Sequence, residues 1–360
     1  MGERVTRAYR LALAVVAAGG VLSCTAVRDV ASDDNGGDVD ADVDTDADTD
    51  SDTDSDADGD AGSDTDYIPL EADCSSCPAV GDTLDNMRCA IELCNDAVYL
   101  GGDYTSPSAA DTAGTYAAVE RFGDASNDLE PLMNGSYALM ATGPAEGTSH
   151  SLEEGGNMMS DPFSSDGYSI DDVMEWRLHL RAPTAAHGFE VDYVFLSEEY
   201  DDYIGKGYND KFYIFVEAPS TNGGERTVIN FTQCRDPETY YDFTCSSGMD
   251  YCDVGMPYCY VAINTAFSEC CWYGGCSEAP ETDISGTGFE CDGSTGFLHD
   301  GSTRGSSTGW LKTEWPIEPN EEFDLVFHIH DTSDELFDSE MIIDDVRFKG
   351  SVDPGTVPVE

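Results

Sequence analysis

The chain has 360 residues with 73 acidic and 16 basic side chains, which gives a formal net charge of −57 at pH 7. Nucleic-acid-binding proteins need a basic footprint, so this balance excludes that class and argues equally against direct adhesion to anionic lipid. Divalent cations and cationic ligands are compatible with such a surface.

The first 23 residues have the features of an export signal. Arg4, Arg7 and Arg10 precede an uncharged apolar run at residues 11–22. That run is shorter than the roughly 20 residues that a membrane-spanning helix needs. It has the length of the apolar core of a signal peptide.

Cys24 comes directly after this signal. The tetrapeptide Val-Leu-Ser-Cys at residues 21–24 resembles the lipobox of bacterial lipoproteins, which implies cleavage before Cys24 and a diacylglycerol on its thiol. The alternative is an ordinary signal peptide with an incidental cysteine. We expect the lipid to hold the chain in the cell envelope as an outer-membrane lipoprotein, surface-exposed or facing the periplasm, since Thr25 is not the Asp that retains some lipoproteins in the inner membrane.

Residues 24–66 are predicted to form a disordered spacer between the lipid and the folded domain. Residues 33–66 contain 16 Asp and no basic residue, and every even position from 38 to 60 is Asp. The interleaved small residues bury nothing that offsets the ordering entropy, and the charges repel one another. Asp54, Asp56 and Asp58 mimic the start of an EF-hand loop, but the twelfth position is Thr65 instead of Glu.

The 13 cysteines are odd in number, and assigning Cys24 to the lipid leaves twelve that can all pair in an oxidising compartment. The twelve fall into two groups, Cys74, Cys77, Cys89 and Cys94, and Cys234, Cys245, Cys252, Cys259, Cys270, Cys271, Cys276 and Cys291. Zinc binding is the alternative for the first group. The second group predicts a disulfide-rich insertion at residues 234–291, which have few aliphatic side chains for a core of their own.

Residues 67–350 are predicted to be one domain, with a tail at 351–360. Helical spacing of apolar residues predicts a helix over 84–98, ended by Gly101 and Gly102. Strands are predicted at residues 189–195, 212–216, 260–263, 323–329 and 341–348. Short alternating strands separated by turn-rich loops predict an all-β fold, a jelly-roll-like β-sandwich with one short N-terminal helix.

Two motifs lie on these strands. The first contains Ser197, Glu198, Glu199, Tyr200, Asn209 and Asp210; the second runs from Asp331 through Asp338 to the Ile-Asp-Asp-Val at 343–346. Together with Ala-Thr-Gly-Pro at 141–144, they resemble the bacterial choice-of-anchor L domain family over roughly residues 84–350. The resemblance implies a secreted surface protein from a family with varied anchors. It brings no established activity and no catalytic residues.

The same motifs concentrate carboxylates at strand ends, which suits calcium because it takes 6 to 8 oxygen ligands. We predict a structural calcium site around the 331–338 loop. Its candidate ligands are Asp331, Asp334, Asp338, Asp344, Glu198 and Asp210. In the alternative, the aspartates cap turns through the backbone and Glu198 or Glu199 pairs with a basic residue.

Other chemistry is less sharply indicated. His328 and His330 lie two apart in a strand and share a face, so zinc binding with Asp331 and a buried hydrogen-bonded role are both open. Trp272 and Tyr273 are candidates for stacking on a sugar ring, with core packing as the alternative.

The expected function is therefore that of a surface-anchored lipoprotein. Its β-sandwich would be a non-catalytic module for adhesion, extracellular matrix or ligand binding, with a glycan or an extracellular protein as ligand and calcium as a structural cofactor. One alternative is an extracellular hydrolase that uses two of these carboxylates on glycans. The second is a structural cell-envelope protein.

Overall fold

The computed structural model describes residues 67–70, 74, 77–145, 156–162, 167–199, 208, 210–233, 258–262, 282–290, 305–333 and 337–359. The export signal, Cys24 and the acidic spacer lie outside these residues. So do Tyr200, Asn209, Asp334, Trp272, Tyr273 and every cysteine of the second group except Cys259. Predictions that rest on them stay predictions.

The described residues form one α-helix and fifteen strands, besides a 3-10 turn at Asn222–Gly224. In chain order these are α1 (Leu84–Ala90), β1 (Tyr99–Thr105), β2 (Tyr116–Val119), β3 (Tyr137–Ala141), β4 (Met159–Ser160), β5 (Ser169–Arg181), β6 (Gly188–Ser197), β7 (Lys211–Glu217), β8 (Thr227–Val228), β9 (Phe231–Gln233), β10 (Tyr258–Ala262), β11 (Ser306–Ser307), β12 (Leu311–Pro316), β13 (Glu322–Thr332), β14 (Ser339–Lys349) and β15 (Gly355–Pro358).

The strands build two antiparallel sheets. The first has the order β1-β5-β13-β7-β10-β9, with β4 beside β5 and β8 beside β7. The second has the order β15-β12-β6-β14-β3-β2, with β11 beside β6. The prediction of an all-β sandwich with one short helix is confirmed.

Alternating side chains from both sheets fill the space between them. The rings of Phe189 on β6 and Phe323 on β13 stack with centroids 5.5 Å apart, and Tyr193 meets Phe212 edge-on at 5.2 Å. Trp176 and Phe327 are also fully buried there. Burying one such side chain contributes about 1.5–3 kcal/mol, so this alternation fixes which face of each strand is internal.

The helix is shorter than the sequence predicted. The Thr83 hydroxyl accepts a hydrogen bond from the Asn86 N–H and begins it, but it ends at Ala90, and Glu92 has a φ of +66°. Apolar residues beyond it are buried without being helical, which explains the misleading pattern. The predicted stop is also wrong, because Gly102 lies within β1, where a Cβ would collide with a backbone carbonyl of β5.

Two disulfides hold this helix. Cys74 bonds Cys94 and Cys77 bonds Cys89, with Cα atoms 5.5 and 5.6 Å apart. Sulfur atoms of Cys77, Cys89 and Cys94 lie within 4.8 Å of one another. Because all of them are disulfide-bonded, they offer no thiolate to zinc, and the disulfide prediction is confirmed for the first group.

Phe327→Ala tests the central role of the intersheet aromatics. Removing this fully buried ring should lower the free energy of unfolding by about 3–5 kcal/mol because a cavity replaces it. Denaturant unfolding measures the change, and Val357→Ala, at a side chain 51 % exposed on β15, is the control with an expected change below about 0.5 kcal/mol. Equal losses in both variants would contradict the assignment.

Candidate functional site

A cluster of carboxylates lies where β13 ends. We call it the end cluster and define it as Asp171, Asp172, Asp210, Asp331 and Asp338. All five side chains are buried. The charges of Asp210, Asp338 and Asp172 all act on Asp331, which places it at the electrostatic centre of the group.

Asp331 is the central member of the end cluster. It follows Phe327 and Ile329 at alternating positions of β13 and therefore points toward the space between the sheets. Its residue is 1 % exposed, and neither carboxylate oxygen makes a hydrogen bond of ordinary geometry within the described residues. Burial, followed by the charges of Asp210 and Asp338, raises its pKa well above the usual range, against a weak opposing contact with the Thr142 hydroxyl.

A β-bulge in β5 supplies Asp171 and Asp172. Asp331 pairs with Asp171 and Ile329 with Met174, so β5 has one residue more than β13 across this stretch. Asp172 adopts a φ of +43°, and its N–H donates to Oδ1 of Asp171 at 2.9 Å. The other oxygen of Asp171 is buried and has no hydrogen-bond partner among the described residues.

Asp210 joins the two sheets at this end of the sandwich. Its Oδ1 accepts the N–H of Thr332 on β13 at 2.8 Å, and its Oδ2 accepts the hydroxyl of Ser339 on β14 at 2.8 Å. Ser339 in turn shares three hydrogen bonds with Thr142, which lies just after β3. One carboxylate therefore fixes the spacing between β13 and β14.

Glu198 and Gly143 adjoin Asp338. The N–H of Glu198 donates to the backbone carbonyl of Asp338 at 3.3 Å. Burial, and then the charge of Asp338, raises the pKa of Glu198 to about 9. A Cβ on Gly143 would collide with the Asp338 carboxylate, so only glycine leaves room for it.

The chemistry of the end cluster is a consequence of burial. A buried carboxylate either takes up a proton or is paired with a cation, because an uncompensated charge in a low-dielectric interior is costly. Within the described residues, Asp171 and Asp331 have no ion pair with Lys or Arg. No three of these carboxylates lie within 4.8 Å of one another, so a bound ion would draw them closer.

The predicted ligands are thus divided. Asp331, Asp338 and Asp210 meet in the end cluster, with Glu198 beside it. Asp344 lies elsewhere, on the outer face of the second sheet, where it accepts the N–H of Leu132 at 2.7 Å. Sequence reasoning missed Asp171 and Asp172, although two consecutive Asp between Ile170 and Val173 are an unusual interruption of a strand.

The two histidines serve a different structure. Nδ1 of His328 lies 3.0 Å from Oε1 of Glu175, and Nε2 of His328 lies 2.9 Å from Nδ1 of His330. Arg226 donates to the same Glu175 oxygen at 2.6 Å. Consecutive residues of a strand point to opposite faces, so Asp331 does not share theirs. Burial, followed by the charges of His328 and Lys211, lowers the pKa of His330 well below the usual range.

No protein-family model matches the chain, and no curated protein matches it either. The resemblance to the choice-of-anchor L domain therefore stays a prediction. Among the described residues, the structure contains no helix that is both long and apolar enough to cross a membrane.

Glu175→Gln tests the hydrogen-bonded group that Glu175 forms with Arg226 and the two histidines. Burial alone would raise the pKa of Glu175, but hydrogen bonds and charges from His328 and Arg226 outweigh it and lower the pKa to about 2. The ionised carboxylate therefore stabilises the fold above pH 4.5, and this contribution is lost as the pH falls toward 2. At pH 7 the variant should lose about 1–3 kcal/mol of unfolding free energy, since it removes a charged hydrogen-bond acceptor from Arg226 and His328, although Arg226 keeps its ion pair with Glu217.

The difference from wild type should narrow below pH 4.5 in thermal unfolding measured across pH. Glu322→Gln is the matched control, because Glu322 is 50 % exposed and pairs with Arg181 at the surface, where such pairs contribute about 0–1 kcal/mol. A pH-independent difference for Glu175→Gln would contradict this account.

Proposed function

We propose that the chain is an envelope-tethered, non-catalytic binding module that a calcium ion stabilises. The lipid on Cys24 and the spacer at 24–66 hold the β-sandwich outside the cytoplasm, where a glycan or an extracellular protein is its ligand. The two disulfides of the described domain support an oxidising compartment. The high negative charge of the domain supports binding of divalent cations.

One observation carries the calcium part of this proposal. Asp331 is buried among like charges with both oxygens lacking hydrogen bonds within the described residues. Asp171 adds another buried oxygen of the same kind. Hard carboxylate oxygens grouped in a buried site are the kind of ligand that calcium binds and that softer metals do not favour.

Burial also favours binding over hydrolysis. A glycosidase presents one carboxyl group as acid and another as base or nucleophile to a sugar in a cleft. Glu198, Glu199 and Asp331 are each less than 5 % exposed. Such side chains contact a polymer only after a rearrangement of the domain, whereas an ion reaches them as a small ligand.

Calcium titration of the mature chain, with Cys24→Ser to prevent lipidation, tests the ion site. After chelator treatment, calcium should raise the melting temperature, because an ion at 100 times its Kd adds about 2.7 kcal/mol to the unfolding free energy. Asp331→Asn should fold in chelator as well as wild type, since it removes a buried charge, but should lose most of the calcium-dependent shift.

The Asp-rich spacer is present in both proteins, so its own calcium binding cancels in the comparison. Asp103→Asn, at an exposed position of β1, is the control and should keep the full shift. An equal calcium-dependent shift in wild type and Asp331→Asn would eliminate the end cluster as the ion site.

Glycan and matrix-protein arrays, run together with a hydrolysis screen, test the class of function. We expect calcium-dependent retention of a ligand without release of product. Released saccharide would favour the hydrolase, and Glu198→Gln would then be the variant to abolish turnover. Neither retention nor turnover across the arrays would favour the structural envelope protein.

A further inference from the structure

A second bulge repeats the local structure of the first. Residues 343–346 of β14 have the same sequence, Ile-Asp-Asp-Val, as residues 170–173 of β5. In β14, the N–H of Asp345 donates to Oδ1 of Asp344 at 2.8 Å, and Asp345 has a φ of +49°. Asp344 pairs across the strands with Asp192 of β6, as Asp171 pairs with Asp331.

Buried oxygens without partners surround this second bulge. Asp192 and Asp345 are 2 % and 1 % exposed, and each has one carboxylate oxygen with no hydrogen bond among the described residues. Glu92, just after α1, has a third such oxygen, Oε2. Its other oxygen accepts the side-chain N–H of Asn134 at 2.9 Å.

Arg347 compensates this charge only in part. Its Nε lies 2.7 Å from Asp345 and its Nη2 lies 3.1 Å from Asp192, while Nη2 also bonds Glu190. One positive charge is thus divided among three carboxylates. Lys349 does not supply the deficit, because it bonds Glu190 and Glu314.

Asp344 and Glu92 are compensated even less than Asp192 and Asp345. Asp344 and Glu92 have no ion pair with Lys or Arg within the described residues. Asp344 is held by the N–H groups of Leu132 and Asp345, which fixes its position without neutralising its charge. Glu92 and the pair Asp344–Asp345 come from two separate segments of the chain, and the charges of both aspartates act on Glu92. Within the described residues no three of these carboxylates lie within 4.8 Å of one another, so a bound ion would draw them closer.

We propose that Glu92, Asp344 and Asp345 form a second calcium site, with Asp192 behind them. The ion would attach the segment after α1 to the second sheet, where the N–H of Val346 already donates to the carbonyl of Ile91 at 3.3 Å. This site is independent of the end cluster, since it uses none of the same residues. It makes the domain a binder of two ions.

Metal counting on the full mature chain tests the proposal. Chelator-treated protein is dialysed against a low calcium concentration, and bound calcium is counted by atomic emission. Glu92→Gln should bind one ion fewer than wild type, Asp331→Asn should also bind one fewer, and the double variant should bind two fewer. Glu130→Gln, whose side chain is 77 % exposed, should match wild type.

Melting temperature separates ion loss from misfolding. In chelator, Glu92→Gln should melt at or above the wild-type temperature, because the amide removes repulsion from Asp344 and Asp345. With calcium it should show a smaller upward shift than wild type. Asp345→Asn is the second variant and should behave alike.

Each site fails separately in this design. Full ion content in both Glu92→Gln and Asp345→Asn would overturn the second site, whatever Asp331→Asn does. An ion lost from those two variants but not from Asp331→Asn would support the second site and reject the end cluster.

Discussion

The Asp210 carboxylate ties the two halves of this sandwich together at its acidic end. It accepts one hydrogen bond from β13 and one from β14, so the distance between the sheets there depends on a charged group and not on apolar contacts. Aromatic packing between Phe189 and Phe323 holds the interior. This arrangement has a cost in free energy, because it buries Asp331 beside Asp210, a group of like charge.

Buried carboxylates without a basic partner occur elsewhere in the domain too, because basic residues are few. Residues 67–360 contain 55 acidic and 12 basic side chains. Arg177 and Arg226 pair with carboxylates on the outer face of the first sheet, and Arg347 and Lys349 do so on the second. Cations from solution are the natural complement where these arginines and lysines do not reach.

Alternation of apolar residues was a sound guide to β6, β7, β13 and β14, because one face of each strand is internal. It failed for β5, where Asp171 and Asp172 interrupt the pattern, and for α1, where buried residues continue past the helix. Only part of the end cluster could be predicted from the sequence. Asp331 and Asp338 are close in sequence, whereas Asp171 reaches them only through strand pairing. Asp344 was assigned to the same site because sequence distance does not show on which face a strand residue lies.

The apolar residues that resume the strand at each bulge decide that face. In β5, Met174 and Trp176 face the core with Glu175 between them outside, and this phase places Asp171 on the internal side with Asp331. In β14, Val346 and Phe348 face the core with Arg347 outside, and this phase places Asp344 outside with Asp192. The extra residue of each bulge lets two consecutive aspartates be buried while the apolar alternation resumes without error. One tetrapeptide can therefore place its first aspartate between the sheets in β5 and on the outer face in β14, and the position of the next core-facing residue determines which.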